Sequence, residues 1–196
     1  MAGGTGTPRR SRRALLKGAV GIGMGLTLAP GIPVAAMAQG DQASARPREG
    51  DVLVNVDDAT LKPLTSSDIS LGSGPTTAWP MEPNEKMVRS GSRLNLVLLV
   101  RLDPETLSAG TRALAADGVV AYTAVCTHEG CEIGAWIAAE RLLLCECHES
   151  KFDPKDGARV IDGPAPRGLP ALPLKVVDGV LVVARGFTGR VGADTV

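Results

Sequence analysis

Two short segments contain every cysteine and histidine of this 196-residue chain. The first segment, box 1, is Cys126–Cys131 with the sequence CTHEGC, and box 2 is Cys145–Ser150 with the sequence CECHES. Each box offers one cysteine and one histidine at metal-ligand spacing. A Cys₂His₂ set can hold a structural zinc ion or a [2Fe–2S] cluster with mixed ligands. The fold must therefore bring two separate loops together, and both kinds of metal site remain open at this point.

The two boxes resemble those of Rieske iron–sulfur proteins, C-x-H-x-G-C and C-x-C-H-x-S. By that resemblance Cys126 and Cys145 bind one iron of a [2Fe–2S] cluster, and His128 and His148 bind the other. Two thiolates replaced by neutral imidazoles raise the reduction potential to about −150 to +300 mV. The resemblance therefore implies a one-electron relay, with a zinc-binding structural module as the minor alternative.

The same resemblance assigns the remaining cysteines. It implies a disulfide between Cys131 and Cys147 that clamps the two loops over the cluster. A later segment, Gly163–Pro166, resembles the proline loop that covers the cluster's third side. Altogether the resemblance covers roughly residues 90–185. It implies an all-β fold: a small antiparallel Rieske-type β-sandwich with an inserted cluster-binding subdomain of two loops.

Residues around the boxes indicate the reduction potential of the cluster and the charge of its partner. Ser150 stands where the family's serine hydroxyl bonds a cluster sulfur, so we expect it to bind the cofactor. Phe152 stands where the high-potential quinol-oxidising members carry a tyrosine, and we expect a lower potential without that hydroxyl. Four carboxylates flank the ligands and would lower the potential and favour a basic partner; they belong to Glu129, Glu132, Glu146 and Glu149.

The N-terminus resembles a twin-arginine export signal. Ser11–Lys17 reads SRRALLK, an apolar stretch follows, and Ala36–Ala38 is a small-residue cleavage pattern before Gln39. We therefore expect a periplasmic protein, exported already folded by the twin-arginine route. The alternative is a retained inner-membrane anchor facing the periplasm, because residues 18–38 are long enough to span a bilayer, although their glycines and two prolines weaken a helix.

The chain divides into four parts by composition. We predict a signal segment over residues 1–38, a linker and N-terminal arm over 39–89, the Rieske domain over 90–185 and a tail over 186–196. The signal segment contains five of the 21 basic residues and none of the 21 acidic ones, so the mature chain carries a net charge near −5. That charge argues against nucleic acid as a partner.

Alternating and continuous apolar runs predict strands at 52–56, 94–102 and 118–125, a hairpin over 133–144 and a second hairpin over 172–184. The stretch 61–83 has four prolines and two glycines, so we predict an irregular arm there. Residues 104–116 predict an insertion with one helical turn.

The signal, the disulfide pair and the chain length predict the electron-transfer subunit of an exported oxidoreductase, with no catalysis of its own. The leading expectation is the small subunit of an arsenite-oxidase-like molybdoenzyme, favoured by Phe152. The alternative is the Rieske subunit of a quinol–cytochrome c reductase. The expected partners are a larger redox subunit, either a molybdopterin enzyme or a cytochrome b, and a c-type cytochrome acceptor. A membrane is expected only if the N-terminal segment is retained.

Overall fold

A computed structural model describes residues 42–194 of the chain. Within that range the structure is built mainly from antiparallel strands, which confirms the all-β prediction. The strands run in chain order as follows: β1 (Val52–Asn55), β2 (Thr76–Glu82), β3 (Met87–Val88), β4 (Val97–Arg101), β5 (Val119–Thr123), β6 (Ala135–Ile137), β7 (Leu142–Cys145), β8 (Ser150–Asp153), β9 (Arg159–Asp162), β10 (Leu174–Val177) and β11 (Val180–Val183).

The helical segments are short and lie in connections. Three 3₁₀ turns are present among the described residues, at Ser66–Asp68, Arg93–Asn95 and Pro104–Thr106. The α-helical turn α1 (Ala109–Arg112) is capped by the Ser108 hydroxyl, which accepts a hydrogen bond from the Thr111 amide. The predicted helical turn in the insertion is confirmed.

Seven strands form the larger sheet, in the order β10-β11-β1-β2-β4-β5 with β3 paired to the far end of β2. Strand β4 lies near one edge and is buried on both faces. Leu98 and Val100 pack into one core, whereas Val97 and Leu99 pack into another. A strand buried on both faces has no polar side to show, and this explains its continuous apolar sequence.

Four strands form the smaller sheet, in the order β6-β7-β8-β9. This sheet is inserted between β5 and β10 of the larger one, and both boxes lie at its connections. Leu143 of β7 and Phe152 of β8 are fully buried and join the core that Leu98 and Val100 also enter. The smaller sheet therefore rests on the larger one through shared apolar packing.

The predicted irregular arm over 61–83 is partly wrong. Its last third is β2, which lies between β1 and β4 in the larger sheet. Pro80 misled the prediction, because proline cannot donate to a central ladder. The Pro80 carbonyl accepts a hydrogen bond from the Arg89 amide at 2.9 Å, and the Pro80 nitrogen points to the same side of β2. On that side β4 pairs with residues 76–78 and β3 pairs with residues 81–82, so Pro80 lies between the two partner strands. No donor is needed at that junction.

The hairpin β10–β11 turns through Asp178 and Gly179, both with positive φ, as a type I′ turn requires. This prediction is confirmed. The predicted signal segment over residues 1–38 lies outside the described residues. Among residues 42–194, no helix has the length and apolarity to cross a bilayer.

A buried ion pair fastens the N-terminal segment to the larger sheet. Asp51 and Arg89 are each about 1% exposed, and the guanidinium donates to the carboxylate from Nε at 2.5 Å and from Nη2 at 2.8 Å. The hydrogen bonds that Arg89 donates to the Asp51 carboxylate raise the pKa of Arg89, so the arginine stays charged. Arg89 also donates to the Gln42 carbonyl at 3.3 Å, and the segment before β1 is held in place.

We expect Asp51→Ala to destabilise the domain by about 3–5 kcal/mol, because it leaves the Arg89 guanidinium buried without a counter-charge. Urea unfolding followed by circular dichroism measures the change. Glu105→Ala, which removes an exposed ion pair with Arg112, is the control and should cost less than about 1 kcal/mol. The double variant Asp51→Ala/Arg89→Met should recover most of the loss. Equal effects of Asp51→Ala and Glu105→Ala would contradict this account.

Candidate metal centre

Strand β5 delivers box 1. The chain leaves β5 and turns back on itself within six residues, closed by two backbone hydrogen bonds, from Cys126 N to Cys131 O at 2.8 Å and from Gly130 N to Cys126 O at 3.1 Å. Gly130 has a φ of +74°, a left-handed conformation that glycine adopts without strain. The turn places His128 and Glu129 at its tip, where His128 is half-buried and Glu129 is exposed.

Strands β7 and β8 deliver box 2. Cys145 ends β7 and pairs with Ser150 at the start of β8, so residues 146–149 form the connecting turn. Glu149 adopts a left-handed φ of +60° to close it. The second strand of the predicted hairpin does deliver Cys145. Strand β8 itself was not predicted, because the sequence after the box alternates too briefly to indicate a strand.

The cysteine and histidine side chains separate by burial. The free cysteines Cys126 and Cys145 are each about 1% exposed. His148 lies at the surface with 44% of its side chain exposed, and its Nδ1 is 3.2 Å from Nδ1 of His128. Two nitrogens bound to one tetrahedral metal at about 2.1 Å would be roughly 3.4 Å apart. The imidazoles are therefore already placed to bind one metal atom together.

The spacing of the donors favours two metal atoms over one. A single zinc ion would need all four donor atoms within about 4 Å of one another. Within residues 42–194, no group of three donors closer than 4.8 Å combines a thiol with an imidazole. The thiols thus form one pair in the interior and the imidazoles form another at the surface. This arrangement fits a binuclear cluster with thiolates on one iron and imidazoles on the other.

Burial also affects the protonation of the thiols. It raises the pKa of Cys126 to about 11, with a smaller contribution from the neighbouring Cys145. A thiol with that pKa is protonated at neutral pH, and iron must displace the proton to bind the thiolate.

A disulfide joins the two boxes. Cys131 and Cys147 are bonded, with their Cα atoms 6.6 Å apart. The Sγ atoms of Cys131, Cys145 and Cys147 lie within 4.8 Å of one another, so the bridge runs directly beside a predicted ligand. The expected pairing is confirmed. The bridge therefore links box 1 covalently to box 2, which follows a different strand.

The predicted proline loop covers both boxes. The Ala165 amide donates to the Ser150 hydroxyl at 3.1 Å, and the Thr127 hydroxyl donates to the Arg167 carbonyl at 2.6 Å. Gly163 lies so close to box 2 that a Cβ on it would come within 2.5 Å of the Ser150 Cα. A hydroxyl has one donor and two acceptor sites. Ser150, which is fully buried, therefore keeps its proton for the predicted bond to a cluster sulfur.

The four predicted carboxylates are exposed around the tip, and one of them approaches a predicted ligand. The Glu129 carboxylate lies 3.8 Å from Nε2 of His148, and 63% of the glutamate side chain is exposed. The other three, Glu132, Glu146 and Glu149, are exposed on the same two loops. Phe152 is fully buried and presents only a hydrocarbon ring to the core beneath the site.

Sequence analysis missed the residue that anchors box 1 from outside. Arg93 begins the 3₁₀ turn that precedes β4, and its Nη1 donates to the Gly130 carbonyl at 2.6 Å. The two residues are 37 positions apart, and nothing local in the sequence connects them. Only the pairing of β4 with β5 brings the arginine to the box.

Comparison with known proteins agrees with this geometry. A family model described as "Rieske [2Fe-2S] domain" matches residues 95–173. The cytochrome bc1 complex Rieske iron–sulfur subunit of Streptomyces lividans is 38% identical over 149 residues, which cover 74% of this chain and 85% of that protein. The corresponding subunit of Streptomyces coelicolor is also 38% identical, but the chain spans 41% of its length. A putative respiratory nitrate reductase subunit Rieske of Haloferax mediterranei is 46% identical over 76 residues, 38% of this chain and 34% of that protein.

We expect His148→Ala to abolish the cluster, because one iron would lose one of its two protein ligands. Iron and acid-labile sulfide analysis, together with the EPR spectrum of the reduced protein, measures the loss. Glu146→Ala, in the same exposed turn, is the matched control and should keep a normal iron content. Cys147→Ser should retain a cluster that is lost more quickly. A normal spectrum in His148→Ala would contradict the ligand prediction, and zinc without labile sulfide in the unchanged protein would favour a structural module.

We expect Gly163→Ala to loosen the proline loop. A Cβ cannot fit against Ser150, and the φ of +90° adds strain, so the cost is about 1–3 kcal/mol. The rate of cluster bleaching at fixed temperature should rise. Gly157→Ala has a comparable positive φ of +62° with open space around it, so this control carries the backbone strain without the clash. Equal bleaching rates in the two variants would show that the close packing at Gly163 is unimportant.

Proposed function

The chain belongs to the Rieske [2Fe–2S] protein family, and on that premise we propose that it is the iron–sulfur subunit of a cytochrome bc1-type complex. In this role it accepts an electron from a quinol and passes it towards a c-type cytochrome. The match to the Streptomyces lividans subunit, which extends over most of both chains, carries the proposal. Electron transfer by the cluster follows from the family, whereas the complex and its substrates are the proposed part.

The arrangement of the site supports transfer through its imidazole side. When bound, the cluster supplies a one-electron couple at intermediate to high potential. The thiol pair of Cys126 and Cys145 is closed off from solvent, while His148 exposes its ring edge. A partner can therefore approach the site only from the tip of the two boxes. The disulfide and the proline loop hold that tip rigid, which keeps reorganisation small when an electron moves.

A second candidate is the small subunit of an exported oxidoreductase of the arsenite-oxidase type, our leading expectation from the sequence. Two residues favour it. Phe152 has no hydroxyl to bond a ligand sulfur. Glu129 stands where, by the family resemblance, quinol-oxidising members present an apolar residue to the quinone pocket. Phe152 leaves the site with fewer hydrogen bonds, and Glu129 makes the site more negative. Both changes lower the reduction potential. The names of the relatives support the first candidate, so we place it ahead.

The cellular location belongs to the proposal. We propose that the folded protein is exported by the twin-arginine route, which the SRRALLK sequence supports. The Cys131–Cys147 disulfide supports an oxidising compartment, because such bridges persist outside the reducing cytoplasm. In a bc1-type complex the N-terminal segment is retained as the membrane anchor. In the second candidate it is cleaved before Gln39.

Isolation of the native chain from its host in mild detergent tests the proposal. We expect it to co-purify with a cytochrome b, to keep its N-terminal segment and to have its cluster reduced by a quinol analogue. His148→Ala in the same complex is the control and should abolish the reduction. A chain that starts at Gln39 and co-purifies with a molybdopterin enzyme would reject the bc1-type role and support the second candidate.

A further inference from the structure

A cavity beside box 1 is separate from the predicted metal ligands. We call it the arginine pocket, and its volume is about 300 Å³. Four segments that are distant in sequence line it: the N-terminal segment, the turn before β4, box 1 with the residue before it, and the C-terminal tail. The residues that matter here are Arg46, Arg93, Leu94, Glu129, Arg190 and Val191. The lining thus combines three guanidinium groups with one carboxylate and an apolar wall.

Two of the guanidinium groups are fixed in place by hydrogen bonds. Arg46 donates from Nη1 to the Leu94 carbonyl at 2.8 Å, and Arg93 donates from Nη1 to the Gly130 carbonyl at 2.6 Å. A guanidinium has five N–H donors in a planar fork. These bonds engage only the Nη1 atoms, so the remaining donors are available to a ligand. Because the side chains are already ordered, a ligand would lose little free energy in arranging them.

The charges that face the pocket leave a positive excess. Glu129 is the acidic group in the lining, and its carboxylate also lies 3.8 Å from His148. Asp194 pairs mainly with Arg167, at 3.1 Å, and lies 4.0 Å from Nη1 of Arg190. The fixed guanidinium groups of Arg46 and Arg93 therefore outnumber the one carboxylate of the lining, in a chain whose residues 39–196 have an excess of acidic residues. Like charges are brought together at a cost unless an anion lies between them.

We propose that the arginine pocket binds a small organic anion, with a phosphate or carboxylate group on a short apolar body. The guanidinium forks match the paired oxygens of such a group, and charge-assisted bonds of this kind are among the stronger ones in proteins. Leu94 and Val191 give the apolar body a surface to contact. The volume lies at the lower end of the range for small-molecule sites, which limits the ligand to a few non-hydrogen atoms beyond the anionic group.

The bound anion would connect three parts of the domain. Arg93 holds box 1, Arg46 belongs to the segment before β1, and the tail closes the third side. Arg167 additionally fastens the tail by donating to the Arg190 and Gly192 carbonyls at 2.9 and 2.7 Å. Ligand binding would therefore protect residues 186–194 from amide exchange. The site is independent of the electron-transfer role and holds for either candidate complex.

Isothermal titration of the full, cluster-loaded chain with n-butyl phosphate and with inorganic phosphate tests the proposal, at constant ionic strength set by sodium chloride. We expect saturable one-to-one binding of both probes, with n-butyl phosphate the tighter because its chain contacts the apolar wall. Arg46→Gln should weaken binding about tenfold, because it removes one charge-assisted contact. Glu129→Gln should strengthen binding, because it removes a repulsive carboxylate.

Arg159→Gln is the matched control, because Arg159 is an exposed arginine of β9 outside the lining, and its loss changes the net charge equally. Binding should be unchanged in this variant. Hydrogen exchange with saturating n-butyl phosphate should slow at residues 186–194 in the unchanged protein and in Arg159→Gln. The proposal is overturned by an absence of saturation up to tens of millimolar probe, or by equal weakening in Arg46→Gln and Arg159→Gln, which would indicate a general charge effect.

Discussion

The site depends on holding two separate loops in register. The predicted ligands come from two turns that follow different strands, and neither turn contains enough of its own packing to fix a side chain. Cross-links therefore supply the rigidity. The Cys131–Cys147 bridge joins the loops covalently, and the close packing of Gly163 on Ser150 presses the proline loop against box 2. With these in place, Nδ1 of His128 and Nδ1 of His148 lie 3.2 Å apart.

The same arrangement explains why electrons enter and leave on one side. The thiol pair is placed under the shared core of the two sheets, where burial keeps Cys126 protonated until iron displaces the proton. The imidazole pair is placed at the tip, where His148 meets solvent. The carboxylates around the tip and the arginine pocket beside it then give the protein two neighbouring regions of opposite charge. Charge distributions of this kind steer partners and ligands more than they add affinity.

Much of this could be predicted because the signals are local. Each box is a run of six residues whose ligand spacing is written in the sequence, and β4 and β5 are continuous apolar runs that have no other plausible location than a core. The turn at Asp178 and Gly179 is local in the same way, because two adjacent residues define it. Prediction failed where the decisive contact was distant in sequence. Strand β2 contains Pro80, and only the change of partner from β4 to β3 shows why a proline is tolerated there.

The sequence by itself determined the chemistry of this protein: the ligand types, their spacing, the second cysteine pair and the proline loop all lie in short segments. The tertiary structure decided the geometry and the surroundings. It showed that thiols and imidazoles form two pairs, which favours a binuclear cluster over a single zinc ion. It also brought Arg93 to box 1 and Arg46 to the same pocket as Arg190. Such contacts depend on strand pairing across dozens of residues, and no local pattern of side chains encodes them.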